Sequence, residues 1–470
     1  MPSESLLARF ADIVGEAHAL RRPEEQAGYL SEWRDRYVGK TPLVLRPGTT
    51  EDVSRILALA HSEGIGIVPQ GGNTGLVGGQ IPSSRGDEIV LSTSRLKRIR
   101  DIDASDGTMI VEAGVTLAAV QATAEAAGRL FPLSLASEGS AEIGGILATN
   151  AGGTAVLAYG NARNLCLGLE AVLADGRIWH GLRRLKKDNT GYDLRDLLIG
   201  SEGTLGIITA ASLRLFPIPA ERATAIAALE TPEQALKLFR LAEAHAGAAL
   251  TGFEFWSDQV QQFALRYMPG TRAPFAESYP WYVLLEISSG DMSGRTADQM
   301  MTLLETANQQ GLIRDAAIAG SLQQARDFWH LRETFSEAQK GAGGSIKHDI
   351  SVPIARIPEF LSAAAETVER LCPGARPVPF GHFGDGNIHY NVSQPEGMPQ
   401  KAYIALWDEM QSAVHDLVAR LNGSISAEHG IGQMKRAALK QFKSDVELDM
   451  MRAIKTALDP KGILNPGKLL

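Results

Sequence analysis

Two imidazoles frame a glycine-rich turn in Gly381-His-Phe-Gly-Asp-Gly-Asn-Ile-His-Tyr-Asn391. A Gly-Asp-Gly turn folds the chain back tightly, so His382 and His389 are expected to converge. Downstream, Ser426-Ala-Glu-His-Gly-Ile-Gly432 places Glu428 and His429 between small residues. Two His and one Glu are the ligand types of a catalytic zinc site that keeps one position open. The spacing is not His-Glu-x-x-His, so a zinc protease of that kind is not indicated. Histidine-rich loops are as often merely polar, and spacing alone leaves both readings standing.

A third stretch joins Trp329-His-Leu-Arg-Glu-Thr-Phe-Ser336 to Lys347-His-Asp-Ile-Ser351. Arg332 and Ser336 are four apart, which predicts one shared helix face. Arg suits bidentate carboxylate binding. A surface salt bridge is the commoner fate of such an Arg, and the pattern alone favours it.

Glycine carries the other chemistry. Pro69-Gln-Gly-Gly-Asn-Thr-Gly-Leu-Val-Gly-Gly79 has five Gly in nine positions, directly after an apolar run. Exposed amides in such a loop form an anion-binding concavity, here suited to a pyrophosphate. Ala141-Glu-Ile-Gly-Gly-Ile-Leu-Ala-Thr-Asn-Ala-Gly-Gly153 and Gly200-Ser-Glu-Gly-Thr-Leu-Gly-Ile-Ile208 follow. Neither the dinucleotide G-x-G-x-x-G nor a P-loop is present, so both nucleotide folds lose support. Three such stretches suggest one long polyanionic ligand, and a flavin dinucleotide fits that size.

The elements that must position these groups read as alternating strands and helices. Pro42 to Arg46 is an apolar strand closed by a turn. Thr50 is expected to cap a helix that buries Val53, Ile56, Leu57 and Ala60. Ile65 to Pro69, Glu88 to Leu91 and Thr108 to Glu112 read as strands, and Thr116 to Ala127 as a helix. Trp281 to Ile287 is a strand and Phe328 to Gln339 is helical. Lys401 to Leu421 is a helix with Trp407, Met410, Val414, Leu417 and Leu421 on its core face. The expected division is a helical segment 1–40, a first domain 41–219, a second 220–455, and a C-terminal segment 456–470 returning to the first.

The three loops, with Arg46-Pro-Gly48 before them and Gly168-Leu-Glu-Ala-Val-Leu-Ala-Asp-Gly176 between, resemble the FAD-binding domain of vanillyl-alcohol-oxidase-type flavoproteins. Leu458-Asp-Pro-Lys-Gly-Ile-Leu-Asn-Pro-Gly467 belongs to the same pattern. The resemblance implies an α+β fold: a two-subdomain FAD-binding domain, then an α+β substrate domain with an antiparallel sheet and a C-terminal helical segment. It implies FAD contacts from Gly71, Gly72, Asn73, Thr74 and Gly75 at the phosphates, then from Gly144, Gly145, Asn150, Gly152 and Gly153. Glu202, Gly203, Ile208 and Asn465 are implied as well. The first loop has no His or Cys for a covalent link, so the FAD is expected to be non-covalent.

The histidine segments resemble those of FAD-dependent D-2-hydroxyacid dehydrogenases. In that group the matching His382, His389 and Glu428 bind a divalent metal, usually zinc, and the matching His429 faces substrate. Arg332, Ser336, Lys347 and Asn391 match substrate-binding positions of the D-2-hydroxyglutarate group, where the hydroxyl residue is commonly Thr. The resemblance therefore implies oxidation of a D-2-hydroxyacid to the 2-oxoacid, D-2-hydroxyglutarate first and D-malate next. D-lactate dehydrogenase and a glycolate-oxidising subunit are the alternatives. An electron-transfer flavoprotein is the expected acceptor, and a homodimer the expected assembly.

Composition excludes other classes. The 470 residues carry a net charge of −8, whereas nucleic-acid binding usually needs a basic stripe. Two Cys are too few for a disulfide framework or a four-Cys zinc site. There is no apolar run long enough to span a membrane. Acidic residues Glu4, Asp12 and Glu16 sit where a signal peptide would be basic, and a cytoplasmic location is expected.

Overall fold

The computed structural model describes residues 2–292 and 294–470. The chain divides into two compact units. Unit one holds Met1–Gly152, Gly160–Ile218 and Glu428–Leu470; unit two holds Gly153–Tyr159 and Pro219–Ala427.

Unit one is built on two sheets. In the first, Val44–Leu45, Ile89–Ser92 and Ile67–Gln70 pair in parallel, and Ala19–Leu20 joins antiparallel at the edge. The Thr50–Glu63 helix covers it, burying Val53, Ile56, Leu57 and Ala60 as the periodicity predicts. Its N-cap is Thr49, not Thr50, and a reciprocal capping box with Asp52 closes the turn. Thr50 instead donates its hydroxyl to the buried Glu170 carboxylate at 2.7 Å. The second sheet is antiparallel, in the order Ile99–Asp103, Thr108–Glu112, Ile207–Arg214, Cys166–Val172, Ile178–Gly181. The C-terminal segment extends the first sheet, since Ile67 N–H donates to Ile463 O and Asn465 N–H to Ile67 O, both at 2.8 Å. The N-terminal segment is not one helix: it breaks at Gly15, whose φ is +82°, before a second helix at Pro23–Leu30.

Unit two is built on one antiparallel sheet of eight strands, one of which, Asp349–Ser351, lies off the main path and pairs with Asn387–Ser393. Its middle runs Glu221–Leu229, Trp281–Ser289, Leu250–Ser257, Arg376–His382, Asn387–Ser393. Side chains alternate between faces along each strand. On one face Trp256, Tyr282, Leu284, Val378 and Phe380 form a core with Phe328, Leu331 and Phe335 from the helices that cover it. On the other, Phe253, Phe255 and Phe383 pack together with ring centroids 5.3–5.8 Å apart. The helix expected over 401–421 is two, Gln400–Ile404 and Trp407–Arg420, with Met410, Val414 and Leu417 buried as predicted.

Candidate active site

In unit one the three glycine stretches meet. The first follows the Ile67–Gln70 strand. Asn73 adopts φ +55° and its amide donates to Gly28 O and Ser31 O at 3.0 and 2.8 Å. Gln80 then ties Asn73 to Gly75. Side chains thus pin the loop, and among the described residues no hydrogen bond takes up the main-chain N–H groups of Gly71 through Gly75. Those donors fit a flavin dinucleotide's pyrophosphate. Gly72 is obligatory, because a Cβ there would lie 1.7 Å from Ser140 O.

The second stretch is the Ile143–Thr149 helix, ended by Asn150 in the left-handed conformation. A Cβ on Gly144 would press on Ala113 at 2.8 Å, while Gly145 has open space. Gly144 therefore serves the close approach of helix and sheet. Gly152 and Gly153 follow in open chain. The third stretch hooks onto this helix, with Gly200 N–H on Leu147 O and Glu202 N–H on Ala148 O. A Cβ on Gly203 would lie 2.4 Å from Pro69, beside the first loop. Ile208 is buried in the strand that leaves it.

Two side chains knit the loops. Asn465 donates to Gly79 O and Glu202 O at 3.0 and 2.8 Å. The Glu202 carboxylate accepts from the N–H groups of Ile431 and Gly432, both at 2.7 Å. It thereby anchors the loop carrying Glu428 and His429, whose facing atoms stand 3.8 Å apart.

Glu142, beside Gly71, is a group the sequence reading passed over. It is buried, and its Oε2 accepts from Thr93 at 2.6 Å. Burial pushes its carboxyl from 4.5 up to about 7, against the pull of Thr93 and Lys97. The folded form thus holds a proton that the unfolded chain releases above 4.5. Stability should fall as pH rises from 4.5 to 7, by about 3 kcal/mol in all. Glu142→Gln should remove that contribution. Chemical unfolding of both proteins across this window is the check, and parallel profiles would refute it.

In unit two the polar residues share the core face of the sheet. Antiparallel pairing sets Glu254 opposite His382, His382 opposite Asn387, Phe380 opposite His389, Val378 opposite Asn391, and His389 opposite Asp349. Directly opposed residues point the same way. The face that is apolar at Trp256 and Phe380 thus becomes polar at its end. The turn between the histidines is a hairpin closed by Gly386 at φ +85°, and the two imidazole centroids lie 5.8 Å apart. Asp385, in that turn, is pushed up to about 6 by burial, with His382 pulling the other way.

Each imidazole is backed by a carboxylate. His382 Nδ1 lies 2.7 Å from Glu254 Oε1. His389 Nδ1 lies 3.7 Å from Asp349 Oδ1, which Asn387 also holds. Carboxylate-backed imidazoles are the usual donors of zinc sites, so the residues fit a divalent metal. Burial pushes the Glu254 carboxyl up, but the charges of His382 and Arg332 outweigh it and the net shift is downward.

Arg332 is not on the surface. It is 6% exposed and ion-paired to Glu254 at 2.6 Å. Arg332 and Ser336 differ in burial. The Leu322–Glu333 helix passes through Thr334, which keeps helical angles (φ −77°, ψ −11°), into a short turn of helix over Phe335–Ala338. Phe335 goes into the core, which leaves Ser336 exposed. Lys347 donates its amine to Gln339. Asn391 accepts from His348 N–H at 3.1 Å through Oδ1, which leaves its NH2 as the donor end. Glu254 and Asp349 were absent from the sequence-based site. A Glu within Leu250-Thr-Gly-Phe-Glu-Phe-Trp256 was the available signal, since a carboxylate in an apolar strand demands a partner.

Loops gathered around free amides and a sheet with a polar end are together the architecture of vanillyl-alcohol-oxidase-type flavoproteins. p-Cresol methylhydroxylase with substrate bound has the same fold, with a TM-score of 0.76 at 15% identity over 99% of this chain and 96% of that one. Alkyldihydroxyacetonephosphate synthase gives 0.75 at 16% identity, covering 99% and 85%. Residues 41–181 match the FAD binding domain family, and residues 218–469 match the C-terminal domain of FAD linked oxidases. The chain belongs to the FAD-linked oxidases, and among them to the FAD-dependent D-2-hydroxyacid dehydrogenases. It is 38% identical to the D-2-hydroxyglutarate dehydrogenase of Xanthomonas citri pv. viticola, over 95% of this chain and 93% of that one. The mitochondrial D-2-hydroxyglutarate dehydrogenase of Bos taurus is also 38% identical, over 100% and 84%. A D-2-hydroxyglutarate–pyruvate transhydrogenase of Saccharomyces cerevisiae is 34% identical, over 99% and 94%. Among the described residues no helix is long and apolar enough to cross a membrane.

Proposed function

We propose that the protein oxidises D-2-hydroxyglutarate to 2-oxoglutarate, with D-malate as the next candidate. The observation that carries this reading is the polar end of the unit-two sheet face. There a buried Arg332 and the NH2 end of the buried Asn391 offer donors, with Lys347 on the adjoining edge. A substrate with two carboxylates needs such partners, because a buried unpaired charge is costly. The relatives named D-2-hydroxyglutarate dehydrogenase support the same choice.

Gly71–Gly75, Gly144, Gly145, Asn150, Gly152, Gly153, Glu202, Gly203, Ile208 and Asn465 would hold FAD non-covalently, and the bound flavin would supply the hydride acceptor at N5. A divalent metal, zinc for this donor set, would be held by His382, His389 and Glu428 and would polarise the substrate hydroxyl. The imidazole of His429 takes the hydroxyl proton, a task suited to a group titrating near neutrality. Arg332 and Lys347 orient the carboxylates, with Asn391 and Ser336 adding polar contacts. The protein is further proposed to pass electrons to a soluble electron-transfer flavoprotein, and to act as a cytoplasmic homodimer.

The test is anaerobic. D-2-hydroxyglutarate, D-malate, D-lactate and glycolate are added separately to the yellow protein, and the flavin band is followed with and without chelator. Fast bleaching by a D-dicarboxylic acid, abolished by chelator, is the expected result. Equal bleaching by D-lactate or glycolate would overturn the dicarboxylate reading, and chelator-insensitive bleaching would overturn the metal.

A further inference from the structure

The polar end of the unit-two sheet face is organised by Glu254, a side chain with no part in the scheme above. It is 1% exposed on the Leu250–Ser257 strand. Its two oxygens are divided between two partners. Oε1 faces His382 Nδ1 at 2.7 Å. Oε2 accepts from Arg332 Nε at 2.8 Å and lies 2.6 Å from Nη2. The first distance is set by the ladder, because Glu254 and His382 are register partners on adjacent antiparallel strands. The second is set by the covering helix, which holds the Arg332 guanidinium 5.1 Å from the centre of the Phe380 ring.

We propose that Glu254 is a positioning residue that fixes His382 as the tautomer with a bare Nε2 and holds the Arg332 fork in place. One buried carboxylate then couples the metal-binding imidazole to the substrate-binding arginine. The inference rests on the roles given above to His382 and Arg332. The chemistry is specific to a carboxylate. An ionised carboxyl only accepts, so His382 Nδ1 must donate, and in the neutral ring the lone pair then lies on Nε2. Arg332 spends Nε and Nη2 on Oε2, which leaves its Nη1 side for an anion. A Gln at this position has one acceptor and one donor. If its NH2 faces His382, the ring proton moves to Nε2 and the metal-binding lone pair is lost. If its NH2 faces Arg332, two donors confront each other in a buried site.

The experiment uses the FAD-loaded enzyme stripped of metal. Zn2+ alone is titrated against a competing chelator for the wild type, Glu254→Gln, Glu254→Asp and His382→Ala. Glu254→Gln should weaken Zn2+ binding about 10–100-fold with the flavin spectrum retained, and should raise KM for D-2-hydroxyglutarate. Glu254→Asp, which keeps two acceptors, should recover part of both. Independently of how any variant folds, 15N spectra of the zinc-free wild type, taken at a pH where the His382 ring is neutral, should show it with a proton on Nδ1 and a bare Nε2. Wild-type Zn2+ affinity in Glu254→Gln, with His382→Ala losing zinc, would overturn the inference and leave the ligand assignment intact. An Nε2–H tautomer would do the same. A wild type that binds no zinc, or an unaffected His382→Ala, would overturn the ligand assignment and the inference with it.

Discussion

His429→Ala is expected to stay yellow and to lose turnover by about 10²–10⁴-fold, the range a positioned general base contributes. The geometry separates the two outcomes. The loop that carries His429 is held through the main chain, by Glu202 on the N–H groups of Ile431 and Gly432. Gly432 fits against Val77 so closely that a Cβ would lie 2.3 Å from its carbonyl. None of these main-chain contacts uses the imidazole, so they remain in the variant and are expected to keep the loop seated. The imidazole itself is 27% exposed, a setting in which a ring can exchange protons. The measurement is steady-state kcat with D-2-hydroxyglutarate beside the flavin absorbance of the purified variant. Near-wild-type kcat would remove His429 from the role of base. Loss of FAD would show that the loop depends on the ring.

The elements legible in the sequence were those whose information is local. The Thr50–Glu63 helix announces its buried stripe at helical spacing. The glycine stretches declare themselves because only Gly tolerates such approaches as Gly72 on Ser140. The Gly384-Asp-Gly386 hairpin follows from the same reasoning. Tertiary partners were not legible. Arg332 is buried while Ser336 is exposed, because Arg332 finds its partner Glu254 on a strand outside the helix, and no spacing rule within the helix anticipates that. Glu254 meets His382 across 128 residues and Arg332 across 78. Pairing of that kind depends on strand order, which a single sequence does not display. The loops could be found one at a time, but Asn465 and Glu202 stitching them together could not.

Arg332 is where stability and chemistry are joined, and its substitution should show both. Arg332→Ala leaves Glu254 buried without its cation. Breaking one side of a buried pair costs about 3–5 kcal/mol, chiefly because the remaining charge stays desolvated. The variant should therefore unfold at lower denaturant and also lose substrate affinity. Arg332→Lys divides the two effects. The ammonium keeps a positive charge near Glu254, so most of the stability should return. A point charge lacks the planar fork and cannot hold Glu254 on one side while presenting paired donors to a carboxylate on the other. For Arg332→Lys, kcat/KM with D-2-hydroxyglutarate should stay down by about 10-fold or more, the scale of one charge-assisted hydrogen bond. The checks are denaturant midpoints for the three proteins and kcat and KM for each. If Arg332→Lys restores kcat/KM along with stability, the guanidinium is a counter-ion to Glu254 and nothing more, and the carboxylate of the substrate must find its partner in Lys347 or Asn391.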